Sequence, residues 1–430
     1  MISEIKNNVL YVDGCNTIEL AERYGTPLYV YSENAIVKEC RKLQECFLNK
    51  YENTRAAYAA KAFSCIAMCR IIEREGLCLD VVSGGELFTA IKAGFPAERI
   101  EFNGNNKLKE ELELAIDYGI GRIIVDGLQE LNLIESICRQ KNKTMDVLYR
   151  ITPGVDSHTH NYITTGKKDS KFGIPLDDDV IYPAVEAAIN SSYVNFKGIH
   201  FHVGSQLFDN KSHLLALETV LQLVKNIKER FNYDVTELNV GGGFGVTYTD
   251  EKQKSYEYFL DPIMERIIEF SQKMNIKRPA VVIEPGRSVV AEAGVTLYKV
   301  GSIKDIKGIR KYVSVDGGMT DNIRPALYQA AYRGALANKM NEPADHTITV
   351  CGKCCESGDI LIKDGQFAEA QAGDILVVFT TGAYGYSMAS NYNKNPVPAV
   401  VLVKDGKSAE IIRRQSYEDI ISRESTEELW

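Results

Sequence analysis

Short apolar runs recur eight times over the first two thirds of the chain, each followed by a stretch with apolar residues at three- and four-residue spacing. The runs are RAAYAAK (55–61), LCLDVVS (77–83), RIEFNG (99–104), RIIVDG (122–127), MDVLYRIT (145–152), FKGIHFHVG (196–204), ELNVGGG (237–243) and AVVIEPG (280–286). Strands of a parallel sheet are buried on both faces and read as unbroken aliphatic runs of this kind. Segments between them, such as KLKEELELAIDYG and LLALETVLQLVKNIKERF, predict amphipathic helices. Eight βα units is the count of a (β/α)8 barrel. A doubly wound sheet also alternates, so the count favours the barrel without proving it.

Beyond residue 290 the texture changes. VTLYKVGSIKDI, RKYVSVDGG, HTITVCGK, DILVVFTTGAYG and AVVLVKDGKSAEIIRR read as strands joined by turns, and DGK (405–407) predicts a hairpin. The division expected is an α/β barrel over 29–287 and a mainly β domain over 288–430, joined by strands from 1–28 such as VLYVDG. The segment THNYITTGKKDSKFGI after the fifth run is too long for an ordinary connection and reads as a lid; its neighbourhood holds His158 and His160, taken as loop residues.

Composition narrows the class. The chain has 430 residues, 45% of them hydrophobic and 25% charged, as in a globular protein with a full core. A net charge of -8 and the lack of any Lys/Arg run exclude a nucleic-acid footprint. MISEIKNNVLYVDG lacks the apolar core of a signal peptide, and no apolar stretch is long enough to span a bilayer, so no membrane is involved and a cytoplasmic address is expected. Ten scattered cysteines read as reduced thiols. The one CxxC, Cys351 to Cys354, lacks further ligands at zinc spacing, so no metal is expected.

In such a barrel chemistry belongs at the carboxyl ends of the strands. The runs end there in Lys61; in Asp80 and Ser83; in Arg150; in His200, His202 and Ser205; in Gly241-Gly242-Gly243; and in Glu284-Pro285-Gly286-Arg287. A lysine at a buried strand end is a nucleophile toward an aldehyde. Read alone, it better suits a lysine snorkelling from the barrel rim, and the neighbouring features reverse that. Loops after the seventh and eighth strands form the usual phosphate cradle of this fold, and here they are GGGFG and EPGR, with Arg287 as a forked cation and Ser205 as a further donor. GGG alone is also an ordinary tight turn. Glu284 suits a pyridine nitrogen, which a carboxylate keeps protonated, or an ion pair with Arg287. His202 suits a flat stack on a cofactor ring or a satisfied core histidine. An amine, a phosphate cradle and an acid for a ring nitrogen together describe a pyridoxal 5'-phosphate site.

Nine motifs then carry a resemblance along nearly the whole chain: YAAKA (58–62), DVVSGGEL (80–87), HVGSQ (202–206), NVGGGFG (239–245), EPGRS (284–288), DGGMTDNIRPALY (316–328), CESGD (355–359), GAYG (382–385) and MASNYN (388–393). The sequence resembles the fold-type III amino-acid decarboxylases, and within them the branch acting on diaminopimelate. The resemblance implies an alanine-racemase-type barrel with a C-terminal β domain, working as a homodimer with active sites at the interface. It implies a Schiff base from Lys61 to the cofactor, His202 stacked on the ring and Glu284 at its nitrogen. Asp80 and Arg150 would belong to the cofactor site, with Ser205, Gly243, Gly286 and Arg287 around the phosphate. Cys355 would reprotonate the carbanion, Cys355 and Glu356 would come from the other subunit, and Tyr384 would touch both cofactor and substrate. Two departures stand out: Asn103 occupies a place where relatives often carry His, and Cys354 directly precedes Cys355.

Substrate choice follows from chemistry at the far end of the substrate. Diaminopimelate carries a distal amine and carboxylate, so its pocket needs both charges. Arg324 can fork onto the carboxylate, Tyr328 can add a hydroxyl, Glu356 can accept from the ammonium, and Arg287 is a further substrate contact. Arg324 read alone also suits a surface ion pair. The rival readings are a sibling decarboxylase of arginine, ornithine, lysine or carboxynorspermidine, an inactive regulatory homologue, and a racemase on the same barrel, which would be expected to lack CESGD.

Overall fold

The computed structural model describes residues 2–155, 170–425 and 427. The chain divides into two compact units, Lys38–Val246 with Lys252–Val289, and Met1–Val37 with Thr247–Glu251 and Val290–Trp430.

All eight apolar runs become strands of the first unit: β1 (Thr54–Ala59), β2 (Cys78–Val81), β3 (Ile100–Phe102), β4 (Arg122–Val125), β5 (Met145–Arg150), β6 (Val194–His200), β7 (Glu237–Asn239) and β8 (Ala280–Ile283). They form a closed parallel barrel in chain order, shut by Val281 of β8 opposite Thr54 of β1. Most strand positions are buried, because the barrel interior and the helix layer cover both faces. The expected helices form at Lys109–Tyr118 and Lys211–Phe231. Each ends on a residue in the left-handed region, Gly119 and Asn232, where the last carbonyls are satisfied by a tightened turn.

At the strand starts, buried Glu237 holds the barrel floor. It accepts three hydrogen bonds from Arg122 at 3.1–3.3 Å and pairs with Arg55, while Arg122 also reaches Asp146 at 3.0 Å. These charges neutralise one another at the end opposite the strand termini, where a barrel keeps its stability contacts. The long segment after β5 falls mostly outside the described residues, as do His158 and His160.

The second unit is mainly β. Its larger sheet runs, across the strands, Ile360–Phe367, His346–Cys351, Arg310–Val315, Gly294–Ile306, Leu28–Ser32, Ala399–Lys404 and Lys407–Ile412, with Ile375–Val378 and Gly334–Leu336 attached at the side. Leu28–Ser32 sits inside this sheet, antiparallel to residues of Gly294–Ile306 and parallel to Ala399–Lys404. Val9–Val12 lies in a separate three-stranded sheet with Ser3–Lys6 and Cys15–Asn16. The DGK hairpin forms on Asp405 and Gly406, whose φ values of 49° and 77° match the twist of a two-residue turn. No helix among the described residues is long and apolar enough to cross a membrane.

Candidate active site

The barrel gathers the polar strand ends into one group. Lys61 lies in a short turn, Ala60–Ala62, directly after β1. Gly286 packs against that turn: a Cβ there would meet Ala59 Cβ at 3.0 Å and Ala62 Cβ at 3.3 Å. The Ala59 N–H donates to Pro285 O, so the EPGR loop and the lysine turn are tied together.

Glu284, 5% exposed, is the centre of the group. Its Oε1 accepts from Asn103 Nδ2 at 3.0 Å and Asn239 Nδ2 at 2.9 Å, and His200 Nε2 lies 3.0 Å away. These residues, not Arg287, are its partners among the described residues. Burial works to raise the Glu284 carboxyl; the His200 imidazole and the Lys61 charge outweigh it and hold the group well below the usual carboxylate range. Asp80, fully buried on β2, accepts from Asn103 at 2.8 Å. Burial, and then the charge of Glu284, push Asp80 and Glu101 well above that range. One anion beside two neutral acids is the arrangement low dielectric favours. Asp80, Glu101 and Glu284 lie close enough together to suggest a cation site. Two amide nitrogens bond these carboxylates, however, and a donor offers a cation nothing.

The three glycines that open the GGGFG loop are each pinned. The Gly241 N–H donates to Asn239 Oδ1 at 2.9 Å and the Gly242 N–H to His202 Nδ1 at 3.3 Å. His213 Nε2 meets Gly242 O at 2.8 Å, and the Leu207 N–H donates to Gly243 O at 2.9 Å. A Cβ on Gly242 would lie 2.1 Å from Glu284 O, and Gly243 has φ 100°, so neither place admits another residue cheaply. Accepting at Nδ1 leaves the His202 proton on Nε2. Arg287 donates to Ser205 Oγ from Nη2 at 3.0 Å and Nε at 3.3 Å, so the cation and the hydroxyl are already paired beside the loop. Arg150 is buried at the end of β5, its guanidinium 4.3 Å over the Phe172 ring. Ser83, by contrast, caps the helix Gly84–Ala93 by accepting from the Glu86 N–H at 3.2 Å and takes no part in this group. A pinned glycine loop, a paired cation and hydroxyl, a lysine and a fixed carboxylate fit pyridoxal phosphate.

The second unit holds the other candidates. Arg324 is 7% exposed and begins the short helix Arg324–Tyr328. Its guanidinium lies 4.8 Å over the Tyr248 ring and donates to the Tyr332 hydroxyl. No carboxylate among the described residues pairs with it, so the surface ion pair is not what forms. Tyr328 is half-buried on the same helix. Tyr384 holds φ 59°, a left-handed conformation costly for a bulky residue. Cys355 and Glu356 are exposed, whereas Cys354 is buried and its thiol is pushed up to about 11, first by burial and then by Asp359. Asp359 knits this turn together by accepting from the Cys354 N–H at 2.8 Å and the Met319 N–H at 2.6 Å. Cys355 is therefore the accessible thiol of the two.

Sequence reasoning passed over Glu101, Asn239, Tyr248 and Tyr332. Glu101 left a signal, a charge inside the apolar run RIEFNG; Asn239 left a weaker one, directly before Val240 and the glycines. The two tyrosines left none.

Burial also lowers the pKa of His202 and His213. The fold keeps them neutral, while an unfolded histidine takes up a proton near 6.5. Their contribution to stability is thus full above that pH and declines as pH falls below it. Thermal midpoints followed from neutral to mildly acid pH should drop, and His213→Gln, which keeps a donor for Gly242 but does not titrate, should drop less. Equal slopes would remove His213 from this account.

Residues 33–291 match the family described as "Pyridoxal-dependent decarboxylase, pyridoxal binding domain". The chain is 49% identical over 414 residues to the diaminopimelate decarboxylase of Bacillus subtilis (strain 168), covering 96% of this chain and 94% of that protein. It is 43% identical to that of Staphylococcus aureus (strain COL), covering 97% of each. Among solved structures, diaminopimelate decarboxylase from M. jannaschii in co-complex with L-lysine superposes with a TM-score of 0.92 at 36% identity, covering 99% of this chain and 98% of that one.

Proposed function

The chain belongs to the diaminopimelate decarboxylases, within the pyridoxal-dependent amino-acid decarboxylases, and on that premise we propose how its residues share the conversion of meso-2,6-diaminopimelate to L-lysine and carbon dioxide, the closing step of lysine biosynthesis. Pyridoxal 5'-phosphate supplies, when bound, a conjugated ring that accepts the electron pair left by the departing carboxylate. Lys61 gives the amine that anchors the cofactor's aldehyde. Glu284 would hold the proton on the ring nitrogen, and His202 would serve as a neighbour of the ring. Ser205, Gly243, Gly286 and Arg287 hold the phosphate, with Asp80 and Arg150 completing the cofactor site. Arg324 and Tyr328 bind the distal carboxylate, Glu356 the distal ammonium, and Arg287 and Tyr384 orient the substrate. Cys355 delivers the proton to Cα. The working form is a homodimer in which Cys355 and Glu356 reach each site from a second copy of the chain.

The observation that supports this substrate over a plain diamine precursor is Arg324, a buried guanidinium with no carboxylate beside it among the described residues. Leaving such a charge unpaired is costly, so a substrate that lacks the distal carboxylate is disfavoured. Carbon dioxide release by the purified holoprotein, measured on diaminopimelate, lysine, ornithine, arginine and carboxynorspermidine, tests the reading. Diaminopimelate should exceed each rival in kcat/KM by about 10²-fold or more, the size expected when one charged hydrogen-bonding group is missing. Dominant turnover of ornithine or arginine would overturn it.

A further inference from the structure

The carboxylate at the centre of the barrel group belongs to a chain of five side chains in which acids and amides alternate: Asp80, Asn103, Glu284, Asn239 and Glu101. Each asparagine spends both hydrogens of its Nδ2 on two different carboxyls. Asn103 gives one to Asp80 Oδ1 and one to Glu284 Oε1; Asn239 gives one to Glu101 Oε1 at 3.1 Å and one to Glu284 Oε1. Asn239 is satisfied at its other end by the Gly241 N–H, which anchors the chain to the glycine loop.

Two buried acceptors, Asp80 Oδ2 and Asn103 Oδ1, meet no donor among the described residues. Buried acceptors without donors are expensive. A proton on Asp80 removes the repulsion between its charge and that of Glu284. The elevated titration of Asp80 and Glu101 and the depressed titration of Glu284 agree with this distribution. With His200 also at Oε1, three nitrogens crowd one oxygen of Glu284, while no donor among the described residues meets Oε2.

We propose that Asn103 and Asn239 are positioning residues for the decarboxylation: between them they fix Glu284 by its Oε1, so that Oε2 is the atom offered to the cofactor's ring nitrogen. This rests on the reading that the ring nitrogen faces Glu284. The amides matter as donors because a second carboxylate in their place would compete for the negative charge, and an apolar residue would release Glu284 to rotate.

The test uses holoprotein reconstituted with cofactor labelled by 15N at the ring. Wild type should show a protonated ring nitrogen across the alkaline range in which the free cofactor loses that proton. Asn103→Leu and Asn239→Leu should shift the nitrogen toward its unprotonated signal, weaken cofactor binding to the apoprotein, and lower kcat about tenfold or more with KM moved less than about threefold. Asn103→Asp is isosteric and keeps the test alive if the leucine variants fail to fold. It should lose the protonated signal at high pH and regain it as pH falls, when its own protonated carboxyl recovers one donor. Variants that fold, bind cofactor and keep the wild-type nitrogen signal and pH profile would overturn the proposal. A wild type that binds cofactor with an unprotonated nitrogen would overturn it too, whereas a wild type that binds no cofactor would bring down the functional reading beneath it.

Discussion

Lys61→Ala holoprotein should show no visible band of lysine-bound cofactor, incorporate no label on borohydride reduction, and turn over diaminopimelate at least about 10³-fold more slowly than wild type. The lysine sits in the turn after β1, held against Gly286 of the EPGR loop. Its amine is the group that can bond covalently to an aldehyde there. Its charge also stabilises ionised Glu284, so Lys61→Arg separates the two roles. Arginine retains the charge yet, protonated throughout the working range, cannot form the bond. It should fail in the same way as alanine. A variant that keeps the visible band, or a wild type labelled at another residue, would end the assignment of Lys61.

Arg324→Ala should lose about 10²- to 10³-fold in kcat/KM on diaminopimelate, the loss expected for a forked, charge-assisted pair with a carboxylate. The visible cofactor band should remain, because Arg324 is assigned to the substrate's far end. Arg324→Lys should recover little, since an ammonium neither forks nor stacks on aromatic faces as the guanidinium does over Tyr248. Turnover equal to wild type would defeat the role given to Arg324, and a loss shared with every substrate of the panel would make it structural instead.

The barrel was legible because its strands are buried on both faces. A run such as RIIVDG has only one environment that suits it, and eight such runs with helices between them leave few architectures. The strand-end residues Lys61, His202, Glu284 and Arg287 were legible for the same reason, since a polar side chain that ends an apolar strand must lie at the rim. Ser83 ends an apolar run as well, yet it caps a helix, a role that one dimension does not separate from a place in the site.

Local pattern thus decided which segments become strands and helices and which polar residues end them, because those outcomes depend on periods of two to four residues. It was silent on pairing between distant segments. Glu101, Asn103 and Asn239 meet Glu284 only because closing the barrel brings β3, β7 and β8 around one axis. In the other unit, Tyr248 and Tyr332 flank Arg324, and Leu28–Ser32 lies between strands drawn from Gly294–Ile306 and Ala399–Lys404. Such contacts depend on where whole elements pack, and the separation along the chain leaves no periodic trace of them.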